Sequence, residues 1–314
     1  MSRLFSQPQC IRSGNDPNSP CVLTMPSPRS AKIEAFTLIE LVVGLSIISI
    51  VVALGLPALL SSRERARVAS CLNHSRQIGL ASQGHLAAHR VYPSNGGYES
   101  QDTIEPAIGV VPSTLDFDVG YTIRWGTGKY GIAPHDQPGS FFYSLLPYLD
   151  QPYMTVGVGS AQIIDSFQCP SRYRGESALA ADDQRGQYRG GALAWAKVDW
   201  AANAHIVHPR PICSRPSLIE AGLSNTILFG EKYHDSFVQT ASSWFYDEPY
   251  WIGGSNGTVR MLAVLGRDES LDKVNHGWGA AHVTSATFGI ADGSVTRLTF
   301  EVDEQILKDL LSIR

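Results

Sequence analysis

Twenty consecutive uncharged residues, Leu41 to Leu60, follow directly on a single acid, Glu40. As a helix rising about 1.5 Å per residue, the run covers about 30 Å, the thickness of a bilayer's hydrocarbon core. It is therefore long enough to span a membrane. A cleaved secretory signal would instead end in a small-residue site after a shorter apolar core. Moving a carboxylate from water into hydrocarbon costs about 2.5 kcal/mol or more, so an acid at the head of such a rod implies a partner that uses it. An amine is the natural candidate.

The residues before the run are Lys32-Ile33-Glu34-Ala35-Phe36-Thr37-Leu38-Ile39-Glu40. This string resembles the cleavage and methylation site of type IV prepilins and type II secretion pseudopilins, whose pattern is Gly followed by Phe-Thr-Leu-Ile-Glu. The resemblance implies a prepilin peptidase as partner, a cut between Ala35 and Phe36, and N-methylation of Phe36. It also implies that Glu40 meets the new amine of a neighbouring pilin-like subunit. The sequence departs from the pattern at Ala35, where Gly is usual. Pro57 falls 22 residues into the mature chain, where such proteins often carry a proline, and favours a kink that membrane helices tolerate. The resemblance further implies a bacterial inner-membrane protein with one pass, its N-terminus cytoplasmic and its head in the periplasm or cell envelope.

Four regions follow. Residues 1–35 are a leader rich in Ser, Pro and Asn, expected to lack regular structure; Met25 is an alternative start. Residues 36–60 are the transmembrane part of the N-terminal helix, 61–92 its exposed amphipathic continuation, and 93–314 a globular head. In the continuation, Val68, Cys71, Leu72, Ser75, Ile78, Gly79, Ser82 and Leu86 form a stripe of small and apolar side chains. Pro93 restrains Tyr92 and ends the helix near Arg90, for a total of about 80 Å. Arg63-Glu64-Arg65-Ala66-Arg67 reads as water-exposed.

The head's frequent Gly and Pro breaks argue for strands and loops rather than a helical bundle. Expected elements are a helix over 139–149, strands near 163–168, 192–195 and 226–230, and a hairpin over 286–300. A closing amphipathic helix from Asp303 is expected to bury Ile306, Leu307, Leu310 and Leu311. The predicted class is α+β and pilin-like: a long N-terminal helix with a mixed α/β, Gly/Pro-rich head containing antiparallel strands. A net charge of -4 with only 17% charged residues leaves no nucleic-acid footprint.

Six strings occur in order along the chain: Cys71-Leu72-Asn73, Arg76-Gln77-Ile78-Gly79-Leu80, Leu145 to Gln151, Phe167-Gln168-Cys169-Pro170-Ser171, Ser224 to Lys232, and Ala291-Asp292-Gly293-Ser294-Val295. Together they resemble a large bacterial family of exported, prepilin-like proteins of unknown function with a C-terminal His-x9-Asp-Gly signature, matched here by His282, Asp292 and Gly293. Asp292-Gly293 between apolar alternations signals a type I′ hairpin turn, and His282 then bonds to backbone or caps a loop. Metal readings recruit His276, His282 and Asp292, or, for calcium, Asp268, Glu269 and Asp272; otherwise no cofactor is expected.

No Gly-x-Ser-x-Gly elbow accompanies His282, so no enzyme is expected. His74, His85 and His89 lack zincin spacing and read as surface residues, and Ser224-Asn225-Thr226 as a turn or cap before a buried strand. After cleavage three cysteines remain, Cys71, Cys169 and Cys213, allowing one bridge at most. The aromatic stretch Trp244 to Trp251 fills a core or stacks on a ligand. The functional expectation is a membrane-anchored pseudopilin-like subunit contacting membrane lipid, which assembles into or decorates a type II secretion or type IV pilus-like filament. The alternative is an envelope-anchored binding protein for a glycan or peptide that uses the prepilin route only for export.

Overall fold

A computed structural model of the protein describes residues 9–11, 22–24, 37–98, 111–117, 120–151, 162–172, 174, 177–179, 182, 186–189, 194–234, 249–269 and 277–314. The architecture is mixed α+β, with one long apolar N-terminal helix and mainly antiparallel sheets. Two compact units divide the chain, Met1–Ala58 and Leu59–Arg314.

In the first unit, helix α1 (Leu38–His89) begins; it continues through Pro57. It is the one helix among the described residues long and apolar enough to cross a membrane. Thirteen large apolar side chains from Leu38 to Leu56 are exposed, Leu54 by 75%. The leader, expected to lack regular structure, contains a short antiparallel pair, Gln9–Ile11 with Val22–Thr24.

The second unit is organised on a five-stranded sheet: β1 (Trp200–Asn203), β2 (Ile227–Glu231), β3 (Val259–Arg260), β4 (Ser285–Ile290) and β5 (Val295–Thr299). Its order is β3-β1-β2-β4-β5, antiparallel except for the β3–β1 edge pair. Alternation of side chains gives the sheet two packed faces. In one cluster, Trp200, Ala202, Leu228 and Phe229, the last two adjacent at a bulge in β2, join Ile78 and Ala81 of α1 and the aromatic residues of helix α2 (Phe141–Leu145). In the other, Ala286, Phe288 and Ile290 pack under Leu307 and Leu311 of helix α3 (Glu304–Leu311).

The predicted stripe on α1 is the buried one: Cys71, Ser75, Ile78, Gly79 and Ser82 face the head, joined by Ala81 and His85. His85 is thus not a surface residue. Its Nδ1 lies 3.1 Å from the Val91 carbonyl where the helix ends, and its ring packs edge-on to Tyr148. The expected helix over 139–149 is α2 followed by a 3-10 turn, Leu146–Leu149, because Pro147 cannot continue an α-helix ladder. The strand expected near 163–168 is instead a 3-10 turn, Asp165–Phe167, closed by N–H bonds from Phe167 and Gln168 to Ile164 and Asp165. The α3 prediction holds with one correction. Ile306 is 54% exposed, since the helix turns Leu307 and Leu311 fully toward the sheet, with Leu310 half-buried beside them.

The Asp292-Gly293 hairpin forms, but not as a type I′ turn. Only Gly293 has positive φ, and its N–H donates to the Ile290 carbonyl. This is a type I turn closed by a left-handed glycine, a common three-residue solution that needs one positive φ rather than two. The turn lies against α1. A Cβ on Gly79 would meet the Gly293 carbonyl oxygen at 3.0 Å, and Gln83 Nε2 donates to the Ala291 carbonyl at 2.8 Å.

Burial and the neighbouring His89 push the His85 imidazole down to about 4, while its contact with the Val91 carbonyl opposes the shift. Its folded pKa lies below its unfolded value of about 6.5, so between these pH values the unfolded chain binds the extra proton. Stability from this group is complete above pH 6.5 and falls toward pH 4 by about 1.4 kcal/mol per unit. Thermal unfolding of the detergent-solubilised chain across that window is expected to decline less steeply for His85→Gln than for the parent.

Candidate functional site

At the start of α1, Thr37 and Glu40 form a reciprocal cap. The Thr37 N–H and Oγ donate to Glu40 Oε2 at 2.8 and 2.7 Å, and the Glu40 N–H returns a bond to Thr37 Oγ at 3.3 Å. The Thr-x-x-Glu spacing is that of a capping box, which satisfies donors left over at a helix N-terminus. Glu40 Oε1 has no partner among the described residues. Ala35 and Phe36, the expected processing residues, lie outside them.

In the second unit, four chemically active side chains meet in the core between α1 and the sheet: Cys71 of α1, Cys169, Glu231 at the end of β2, and His282 just before β4. Their donor atoms lie within 4.8 Å of one another and all four residues are buried. Cys71 and Cys169 are free thiols with sulfurs 2.9 Å apart. Cys169 Sγ lies 3.5 Å from His282 Nε2, Glu231 Oε1 lies 3.7 Å from the same nitrogen, and Cys71 Sγ is 3.8 Å from Glu231 Oε1.

Each donor is held from behind. The other imidazole nitrogen of His282, Nδ1, is 2.9 Å from Glu64 Oε1 and 3.2 Å from Ser171 Oγ. Glu231 Oε2 accepts the Thr287 N–H at 2.7 Å. Cys169 opens a turn, Cys-Pro-Ser-Arg, in which the Arg172 N–H bonds the Cys169 carbonyl at 2.9 Å and Pro170 presets the first central position. The Cys169 N–H donates to Asp199 Oδ2 at 2.7 Å.

Arg172 anchors this turn. Its guanidinium forms a two-point bridge to Asp268 at 2.7 and 3.0 Å and donates to the carbonyls of Asp199, Lys232 and Gly279. Arg174 pairs with Asp199 from the other side.

The electrostatics follow from burial and neighbours. Burial pushes the Glu231 carboxyl well above the carboxylate range, with the Cys169 charge adding to the shift. The hydrogen bond to Cys169, then burial, raise the Cys71 thiol, and the same sulfur pair, with His282 and Arg172, lowers that of Cys169. Burial alone would depress His282; its bond to Cys169 and the charges of Glu231 and Cys169 carry it up to about 9. Burial raises Asp199 too, but Arg174 and Arg172 outweigh it and hold the carboxyl low.

The signature residues do not share a site. His282 enters the cysteine cluster, whereas Asp292 and Gly293 lie at the far end of β4, where Asp292 Oδ1 accepts the Ser294 N–H. Asp268, a candidate calcium ligand, has a side chain only 7% exposed and both oxygens committed to Arg172, so it is no solvated loop acid. Glu269 is exposed, and Asp272 and His276 lie outside the described residues. Cys213 stands apart from the other thiols and is half-buried. Of the aromatic stretch, Tyr250 and Trp251 are core residues; Trp244 to Glu248 lie outside the described residues. Leu223–Asn225 forms a 3-10 turn ahead of β2, the turn alternative of the expected turn or cap.

Glu64, Glu231 and Ser171 escaped notice in the sequence as site residues. The available signal was that three of the ordered strings each bring one sulfur or carboxylate, Cys71, Cys169 and Glu231, in addition to the signature histidine.

The chain matches a family described as "Protein of unknown function (DUF1559)" over residues 61–156 and 154–305. No curated protein and no solved structure matches it.

Removing one partner of a buried charge pair leaves the other uncompensated, at a cost of about 3–5 kcal/mol. Asp199→Asn is expected to destabilise the chain by about that amount in denaturant unfolding, against about 0.5 kcal/mol or less for the exposed Glu301→Gln.

Proposed function

The chain belongs to the DUF1559 family of proteins of unknown function, and from that premise we propose that it is a membrane-anchored, pilin-like subunit processed by a prepilin peptidase. Its work is assembly: it joins or decorates a filament of the type II secretion or type IV pilus kind in a bacterial envelope. The observation that carries this reading is the first part of α1. Leaving thirteen large apolar side chains in water forgoes about 1.5 kcal/mol or more for each. The sum, about 20 kcal/mol, exceeds the net stability of a typical domain. That surface therefore belongs in lipid or against the same surface of neighbouring subunits.

The helix start supports the same reading. The Phe36-Thr37-Leu38-Ile39-Glu40 string places the Thr37–Glu40 cap one residue after the proposed cut. Thr37 occupies Oε2 of Glu40 and leaves Oε1 for an incoming amine. Within this proposal the N-terminus is cytoplasmic before processing, the helix passes the inner membrane once, and the head faces the envelope.

Expression of Glu40→Ala in a host with an active peptidase and filament system tests the assembly role. The variant is expected to be cleaved normally and to stay in the membrane, with its share of the sheared filament fraction reduced at least tenfold. Incorporation at the parental level would contradict it.

A further inference from the structure

We propose that Cys71, Cys169, Glu231 and His282 form a structural zinc site, whatever the mode of anchoring. Two thiolates, one imidazole and one carboxylate are a donor set that suits zinc, an ion indifferent to ligand-field geometry and content with sulfur, nitrogen and oxygen together. The spacings agree with a tetrahedron. Zinc bonds of about 2.3 Å to sulfur and about 2.0–2.2 Å to nitrogen and oxygen give edges of about 3.8 Å between sulfurs and about 3.3–3.6 Å for the other pairs. The sulfur–imidazole edge is 3.5 Å, the sulfur–carboxylate edge 3.8 Å and the imidazole–carboxylate edge 3.7 Å. Of these four edges the sulfur pair, at 2.9 Å, departs most and has to spread by about 0.9 Å, and the remaining two donor pairs lie within 4.8 Å.

The surroundings also fit a metal. Ligating histidines characteristically give their second ring nitrogen to a carboxylate, which fixes the tautomer and turns the other nitrogen on the ion. Glu64 stands in that position to His282 Nδ1, leaving Nε2 facing the two sulfurs and Glu231. Glu231 shows the same division, with Oε2 on the Thr287 N–H and Oε1 toward the cluster. A disulfide between Cys71 and Cys169 would use the sulfurs alone and leave Glu231 Oε1 and His282 Nε2, 3.7 Å apart, with only each other.

Four protein donors leave no open position, so the ion ties elements together and does no chemistry. It joins α1, the Cys169 turn, the end of β2 and the entry to β4 at one point. An open groove of about 690 Å³, lined by Leu60, Glu64, Val68, Leu72, His282 and Arg297, leads to the His282 side and offers the ion an entry path.

The test uses the full-length chain in detergent. Its zinc content is measured as isolated, after chelation, and after titration with zinc chloride alone, with alkylation of the thiols followed in parallel. One zinc per chain is expected, with Cys71 and Cys169 protected from alkylation while it is bound and a lower Tm once it is removed. Cys71→Ser is expected to abolish binding. Glu64→Gln, a change at a partly exposed position outside the donor set, is expected to fold and to weaken zinc affinity about 10–100-fold. Two results would overturn the assignment: a zinc-free chain whose Cys71 and Cys169 resist alkylation until reduced, which is the disulfide, or thiols that alkylate equally fast with and without zinc.

Discussion

The ties between the second half of α1 and the residues flanking strand β4 are the constraint around which the head is built. The helix climbs from Glu64 to Gln83 in 19 steps, about 28 Å. The chain from His282 to Gly293 covers a comparable distance as a strand with a bend at its start and a turn at its end. The two are pinned at both ends, by His282 to Glu64 at one and by the Ala291 and Gly293 backbone to Gln83 and Gly79 at the other. The separation between His282 and the Asp292-Gly293 pair thus matches a length of helix, from Glu64 to Gln83. Gly79 is small because the turn's backbone presses on it, and Gly293 supplies the positive φ that the turn requires.

Between those two pins lies a polar core that only makes sense when fully satisfied. Cys71, Cys169, Glu231 and His282 are buried beside the Arg172, Arg174, Asp199 and Asp268 network, and an unpaired charge in such surroundings is costly. Arg172 resolves most of it by spending its donors on one carboxylate and three carbonyls from separate segments. Its effect is to fix the Cys-Pro-Ser-Arg turn, and hence the sulfur of Cys169, against helix and sheet. Rigid support of this kind is what a binding centre needs if its donors are to be in place before the ion arrives.

Much of this was legible from local pattern. The apolar run of α1, its small-residue stripe, the β4–β5 hairpin and the capped final helix follow from periodicity and turn chemistry, which need no knowledge of distant partners. Several of the errors fall where partners are distant. His85 reads as a surface histidine until Tyr148 covers it, and Asp268 reads as a solvated acid until Arg172, 96 residues away, claims both its oxygens. Glu64 sits in a run of arginines that looks wholly exposed, yet its carboxylate turns inward to His282 across 218 residues of sequence. The convergence of two cysteines, a glutamate and a histidine depends on strand order and register, which no single segment encodes.

Helix α1 exposes apolar side chains on all sides over its first part and buries one stripe against the head over its second. The proposed assembly role requires that the residues ahead of Phe36 be removed and a new amine be placed at the tip of this helix. Intact mass and N-terminal sequencing of the chain recovered from native membranes test this most directly. The account predicts a polypeptide beginning at Phe36 and carrying one added methyl group. A chain still bearing residues up to Ala35 in cells with an active prepilin peptidase, or one beginning beyond Leu60, would contradict it.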